Sequence, residues 1–278
     1  MKNVCIAFSV LALLAVMIAC SGSSAGGGSG GDSIGTGTNP PVAAFNFTGN
    51  WELTATSTAI NGRTMTIVGY LNHSENTITG TVHVVANNSC FPGDYVGGVQ
   101  DVTVTGTVNN NNVNLTFSDL NGQVVSISAT AQSESALSGT YGINGGCAGG
   151  DKGSLSGFKI PPLTGKWSGT FKINSDTANV SADLVQGPPL HGLATISGSV
   201  TFTGSSCFSG TGVIRGDTGD VIGGTHLFIR VNIPSDNPTQ QVQLIGTTTP
   251  TGNSITGDLD VNFGTCNTQS GTASLQKQ

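Results

Sequence analysis

The chain has 278 residues, a formal net charge of −6 and only 9% charged side chains against 36% hydrophobic ones. Nine Lys and Arg spread over that length make no basic stripe, which excludes nucleic acid as a partner and attraction to an anionic bilayer as a mode of attachment. Charge this sparse leaves Asn, Thr, Ser and Gly to form the surface, which argues against a soluble cytoplasmic helical protein and for an exported β protein.

The first element is a leader. Met1-Lys2-Asn3 carries a positive charge, and residues 4–19 are apolar but for Ser9. That span is short for a transmembrane helix and right for a secretory apolar region. It ends in Met17-Ile18-Ala19-Cys20, which resembles the lipobox of bacterial lipoproteins. The resemblance implies cleavage before Cys20, diacylation of that cysteine and attachment to a membrane through the lipid. Ser21 follows, and in the enterobacterial sorting rule the lack of Asp there implies the outer membrane. Ordinary signal-peptidase cleavage at Ser23-Ser24-Ala25 is the competing reading.

Residues 20–44 are mostly Gly, Ser and Thr without apolar periodicity. Such a segment buries too little surface to offset its ordering entropy and reads as a tether between membrane and folded part.

Two copies of one unit follow, residues 45–160 and 161–278. Phe47-Thr-Gly-Asn-Trp51 matches Leu163-Thr-Gly-Lys-Trp167, and Ile78-Thr-Gly80 matches Ile196-Ser-Gly198. Cys90-Phe91 matches Cys207-Phe208, and Leu137-Ser-Gly139 before Cys147 matches Ile255-Thr-Gly257 before Cys266. The landmarks keep one order and a nearly constant offset. A period this long is a duplicated domain and not a solenoid repeat, and Pro161-Pro162 marks the seam.

Within the first unit, alternating apolar and polar residues predict eight strands near residues 47–57, 63–72, 76–87, 98–108, 112–118, 122–131, 135–143 and 152–159. Gly, Asn and Asp punctuate them. The second unit divides the same way, with longer connections around Asp217 and Pro234. Short links favour antiparallel neighbours, hence a meander, and eight such strands can close into an up-and-down barrel. The expected fold is therefore all-β: two tandem antiparallel meander domains, as eight-stranded barrels or as β-sandwiches. Gly49-Asn-Trp51 and Gly165-Lys-Trp167, each opening a first strand, resemble the G-x-W of lipocalins and avidins. That resemblance implies calycin-like barrels with the Trp at the closed end.

Cysteine use agrees with export. Cys5 leaves with the leader and Cys20 is the lipid site, so Cys90, Cys147, Cys207 and Cys266 remain, an even number that implies disulfides. Equivalent cysteines of two copies should pair alike, giving Cys90–Cys147 and Cys207–Cys266 inside each unit. In a meander, however, the third and seventh strands lie across the barrel from each other. The Cys90-Phe-Pro-Gly-Asp94 loop must then fold over the mouth as a lid, unless the strand count is off by one or the fold is a sandwich.

No catalytic or metal motif emerges. His73, His83, His191 and His226 are scattered, differ between the copies and read as surface or rim residues. Glu52, Asp94, Asp101 and Asp119 could supply a carboxylate pair, but the second unit does not repeat them, and Ser168 stands where Glu52 would be. Arg215-Gly216-Asp217 spells an integrin-binding tripeptide and reads as a solvated turn, as does the acidic loop that continues to Asp220. Trp51 and Trp167 read as barrel-floor residues before they read as sugar-stacking platforms. The expectation is a lipid-anchored envelope protein without cofactor or metal and not an enzyme: a non-catalytic binding module for a small apolar ligand or lipid. The alternative is a structural or surface-interaction protein with packed cores. Filled interiors would decide for the second.

Overall fold

The computed structural model describes residues 45–86, 90–91, 101–216, 219–234, 240–264 and 266–278. The leader, the lipid site Cys20 and the tether lie outside the described residues, as do Asp94 and Asp217 and the side chain of Asp119.

The first unit is a closed barrel of eight antiparallel strands in chain order. They are β1 (Gly49–Ser57), β2 (Thr64–Ser74), β3 (Thr77–Ala86), β4 (Val102–Asn109), β5 (Asn112–Leu120), β6 (Gln123–Ser133), β7 (Ala136–Asn144) and β8 (Lys152–Ile160). The period-2 pattern sets which residues point inward: in β6, Val125, Ile127, Ala129 and Ala131 are buried while Ser126, Ser128 and Thr130 are exposed.

The second unit closes likewise: β9 (Gly165–Ile173), β10 (Asp176–Leu190), β11 (Leu193–Thr203), β12 (Gly210–Ile214) with β13 (Val221–Gly223), β14 (His226–Ile233), β15 (Gln240–Thr248), β16 (Ser254–Asn262) and β17 (Ser270–Lys277). Both β12 and β13 pair with β11 and with β14, so they are two pieces of one fourth strand. Gly198 faces Ile214 and Thr195 faces Val221, so three steps along β11 match seven along its partner and the chain loops out by four residues. The anticipated long connection falls between these two pieces, and its residues 217 and 218 lie outside the described residues.

Register shows how closely the copies agree. From Gly49, successive cross-strand partners are Leu71, Gly80, Val104, Phe117, Val125 and Ile143. Ile143 N–H donates to the Asp151 carbonyl, and the path returns to the β1 side at Ala59, ten residues beyond its start. In the second barrel the path from Gly165 runs through Leu184, Gly198, Ile214, Val231, Val242 and Val261 to Gln269, and returns at Ser175, again ten residues on. A stagger of ten over eight strands fixes a tilt of about 41° and a backbone radius of about 8 Å, from ~3.3 Å rise per residue and ~4.7 Å between strands. A barrel of that bore is filled by side chains or holds one small ligand.

Here apolar side chains fill the described interiors. One cluster runs from Phe47 and Trp51 through Leu53, Ile67, Leu115, Phe117 and Ile127 to Phe91 and Ala148. The other runs from Leu163 and Trp167 through Phe171, Phe202, Ile229 and Leu244 to Phe208.

Candidate functional site at the junction of the barrels

Each barrel is closed at one end by its G-x-W segment. Trp51 and Trp167 are each 1% exposed, and their indole N–H groups donate to the carbonyls of Phe47 (2.7 Å) and Leu163 (2.9 Å). Lys159 Nζ lies 5.9 Å from the Trp51 ring and donates to the Asn46 carbonyl; Lys277 Nζ lies 5.8 Å from the Trp167 ring and donates to the Pro162 carbonyl. The motif needs glycine because Gly49 sits at φ +146° and a Cβ there would lie 2.8 Å from the Lys159 stem.

Disulfides close the other ends. Cys90 bonds Cys147 and Cys207 bonds Cys266, with Cα atoms 5.7 and 5.5 Å apart. Of the Cys90–Asp94 loop the described residues are Cys90 and Phe91, and the rest lies outside the described residues. Phe91, 3% exposed, packs into the first core, and Phe208, 1% exposed, lies 5.4 Å from Phe202 in the second. Gln123 holds the first stopper, donating to the Cys90 carbonyl and accepting from Ala148 N–H. Asp176 holds the second, accepting from the Ser205 hydroxyl (2.5 Å) and Cys207 N–H (2.9 Å), hydrogen bonds that hold its carboxyl below the usual range.

The polar residues that the sequence left unassigned converge where the barrels meet. Asn50 and Glu52 point outward from β1, beside Val68 and Tyr70 of β2 and His83 of β3. Two turns of the second barrel dock there. Asn50 Nδ2 donates to the Gly224 carbonyl (2.9 Å) and its Oδ1 accepts from Gly224 N–H (2.8 Å). Glu52 accepts from both the N–H (2.8 Å) and the hydroxyl (2.7 Å) of Thr225, and Tyr70 N–H donates to the Gly192 carbonyl (2.7 Å). His83 Nε2 lies 2.7 Å from the His191 carbonyl, and His191 Nδ1 lies 3.0 Å from Asp101 Oδ2. His226 Nδ1 stands 3.9 Å from Glu52; burial pulls its pKa down, and the carboxylate opposes that shift. Val68 is fully buried although it faces outward, and Tyr70 and Phe158 pack against the second core.

Three of the four histidines therefore stand at the junction: His83 is buried there, His226 is half-buried, and His191 keeps the exposure expected of a surface residue while its ring meets Asp101. His73 instead caps the first barrel, its ring 5.4 Å from Phe47. Glu52 and Asp101 are docking residues bound to different partners, not a carboxylate pair. Among the described residues no group of three His, Cys, Asp or Glu is arranged to hold a metal ion. Arg215 and Gly216 lie on the four-residue excursion of the fourth strand.

One signal could have found the junction. With Trp51 matched to Trp167, the registers match Asn50 to Lys166, Glu52 to Ser168, Val68 to Ser181, Tyr70 to Asp183 and His83 to Thr201. The two copies differ at every one of these positions, because only one of them receives a neighbour.

Beside the junction lies a cleft of about 400 Å³, walled by Tyr70, Ile160, Pro161 and Pro162 with Glu134 and Lys159. Burial pulls the Lys159 pKa below its ordinary value and Glu134 opposes the shift.

The architecture fits a tandem calycin-like arrangement, two closed eight-stranded antiparallel barrels with equal stagger. Comparison with known proteins finds no family model, no curated protein and no solved structure that matches the chain.

Proposed function

We propose that this protein is a non-catalytic surface-interaction protein of the bacterial cell envelope, held to a membrane by a lipid on Cys20 and presenting a docked pair of packed barrels. The observation that carries the reading is the filling of both interiors. Trp51 and Trp167 floor them, Phe91 and Phe208 stopper them, and the inward positions between are apolar side chains in mutual contact. A pocket for an apolar ligand or lipid would need that volume. Contact with a partner then falls to the outer surface. The lipobox resemblance and the Gly/Ser-rich segment supply the anchoring half of the proposal.

Native mass spectrometry of the full chain tests the packed half. The expected spectrum is polypeptide plus any N-terminal lipid, with no further mass lost on denaturation. A small molecule released at defined stoichiometry would return the barrels to the ligand-binding reading. Crosslinking in intact cells tests the other half: the expected result is a discrete adduct to an envelope component, and monomer alone in the envelope fraction counts against it.

A further inference from the structure

The outer wall of the first barrel opposite the junction is free of charge between its ends, where the sequence places Asp101, Asp119 and Glu134. Over strand positions 103–118, 123–133 and 136–144 there is no Asp, Glu, Lys or Arg. Apart from Val124 and Gly142 at one end, the outward positions carry mostly hydroxyls and carboxamides, in rows fixed by the register. Thr105 faces Thr116, which faces Ser126; one level along, Asn114 faces Ser128, which faces Thr140. All six are exposed. Neighbours across strands are about 4.8 Å apart and those along a strand about 6.8 Å apart. By contrast, the outer wall of the second barrel carries Lys166, Lys172, Asp183, Arg230, Asp258 and Asp260.

We propose that this wall is the contact surface of the protein and that its partner is a neutral polysaccharide. The inference rests on the surface-interaction reading above and names its partner class. Charge weighs among partners: a wall without cations offers no ion pair to an anionic polymer, a phospholipid headgroup or an acidic protein face, and the carboxylates at its ends disfavour them further. It also loses no ion hydration when covered. Chemistry chooses again. Ser and Thr hydroxyls and the Asn amide each donate and accept, as sugar hydroxyls do. Their side chains are short and, for Thr, stiff, so little rotamer freedom is lost on contact. Each bond merely replaces one to water, so a useful affinity needs many in register along a repeating chain. A disaccharide engages too few of them to compete.

The test is sedimentation of the full chain with insoluble cellulose and with insoluble chitin, at 0.1 and 1 M NaCl, with and without 10 mM cellobiose or chitobiose. The expected result is depletion onto at least one polymer, unchanged by salt within twofold and not reversed by the disaccharide. Thr116→Lys with Ser128→Lys should weaken it at least tenfold. Thr170→Lys with Ser274→Lys, on the second barrel, should leave it unchanged. No depletion on either polymer overturns the proposal, as does loss in 1 M salt. Retention by the first pair of substitutions, with the wild-type unfolding midpoint kept, overturns it too. Where that pair fails to fold, salt response and disaccharide competition on the wild type decide. A crosslinked envelope protein together with no polysaccharide binding would sink this inference and spare the broader reading; a ligand released in native mass spectrometry would sink the broader reading on its own.

Discussion

Asn50 and Gly224 meet across the junction as two strands would, each giving and taking one hydrogen bond, although one partner is a side chain. Asn50 is 1% exposed, so the contact is dry. Truncating it leaves both the N–H and the carbonyl of Gly224 buried without that partner. Asn50→Ala should lower unfolding stability by about 2–4 kcal/mol, against about 0.5 kcal/mol or less for Lys166→Ala at the matching exposed position of the second barrel. Equilibrium denaturation of both variants checks this, and equal effects would refute the docking role of Asn50.

Each disulfide ties a stopper to the far side of its barrel. Cys207 and Cys266 are 59 residues apart, and closing such a loop in the unfolded chain is worth about 4 kcal/mol in the chain-entropy account. Replacing both by Ser should lower stability by about that much and expose Phe208. The check is the guanidinium midpoint of the variant with its first disulfide intact. A shift below about 1 kcal/mol would mean the bridge adds little to what Asp176 already holds through Ser205 and Cys207.

Protonation works against the junction at His226. Burial lowers its pKa in the fold, so the unfolded chain binds the proton more readily. Stability from this group is therefore complete above the unfolded value, about 6.5, and is lost as pH falls through the lower folded value. Wild type should lose stability from about pH 6.5 downward more steeply than His226→Gln does. Urea denaturation at intervals from pH 7.5 to 4.5 measures the difference, and parallel curves for the two proteins would contradict it.

The strands were legible because their signal is local. Alternation in Val125-Ser-Ile-Ser-Ala129 states which side faces inward whatever the rest of the chain does, and seven of the eight predicted first-unit strands begin within two residues of the observed ones. β4 begins four residues later than predicted. Disulfide pairing was legible because duplication constrains it. Docking was not, because an outward position on a barrel reads simply as polar, and Asn50 or Glu52 has no periodicity to betray a partner some 170 residues away. The split fourth strand was visible only as a long connection, since Ile214 and Val221 belong to one strand only through the register of β11.

Gly192 joins backbone strain to docking. It lies at φ +77° in the β10–β11 turn, its carbonyl accepts from Tyr70 N–H, and a Cβ there would run into the carbonyl of Thr81 on the other barrel. Gly122 has nearly the same φ, +74°, in a β5–β6 turn with open space around its Cα. Gly122→Ala should therefore cost about 1 kcal/mol, for the left-handed backbone alone. Gly192→Ala incurs the same strain and must also push the turn away from β3, breaking the Tyr70 bond and moving His191 off His83 and Asp101. Its cost should exceed that of Gly122→Ala by about 1–3 kcal/mol. It should also shrink when Asn50→Ala has already loosened the junction, a coupling that a double-mutant cycle reads directly. Strictly additive effects of Gly192→Ala and Asn50→Ala would mean that the two turns dock independently.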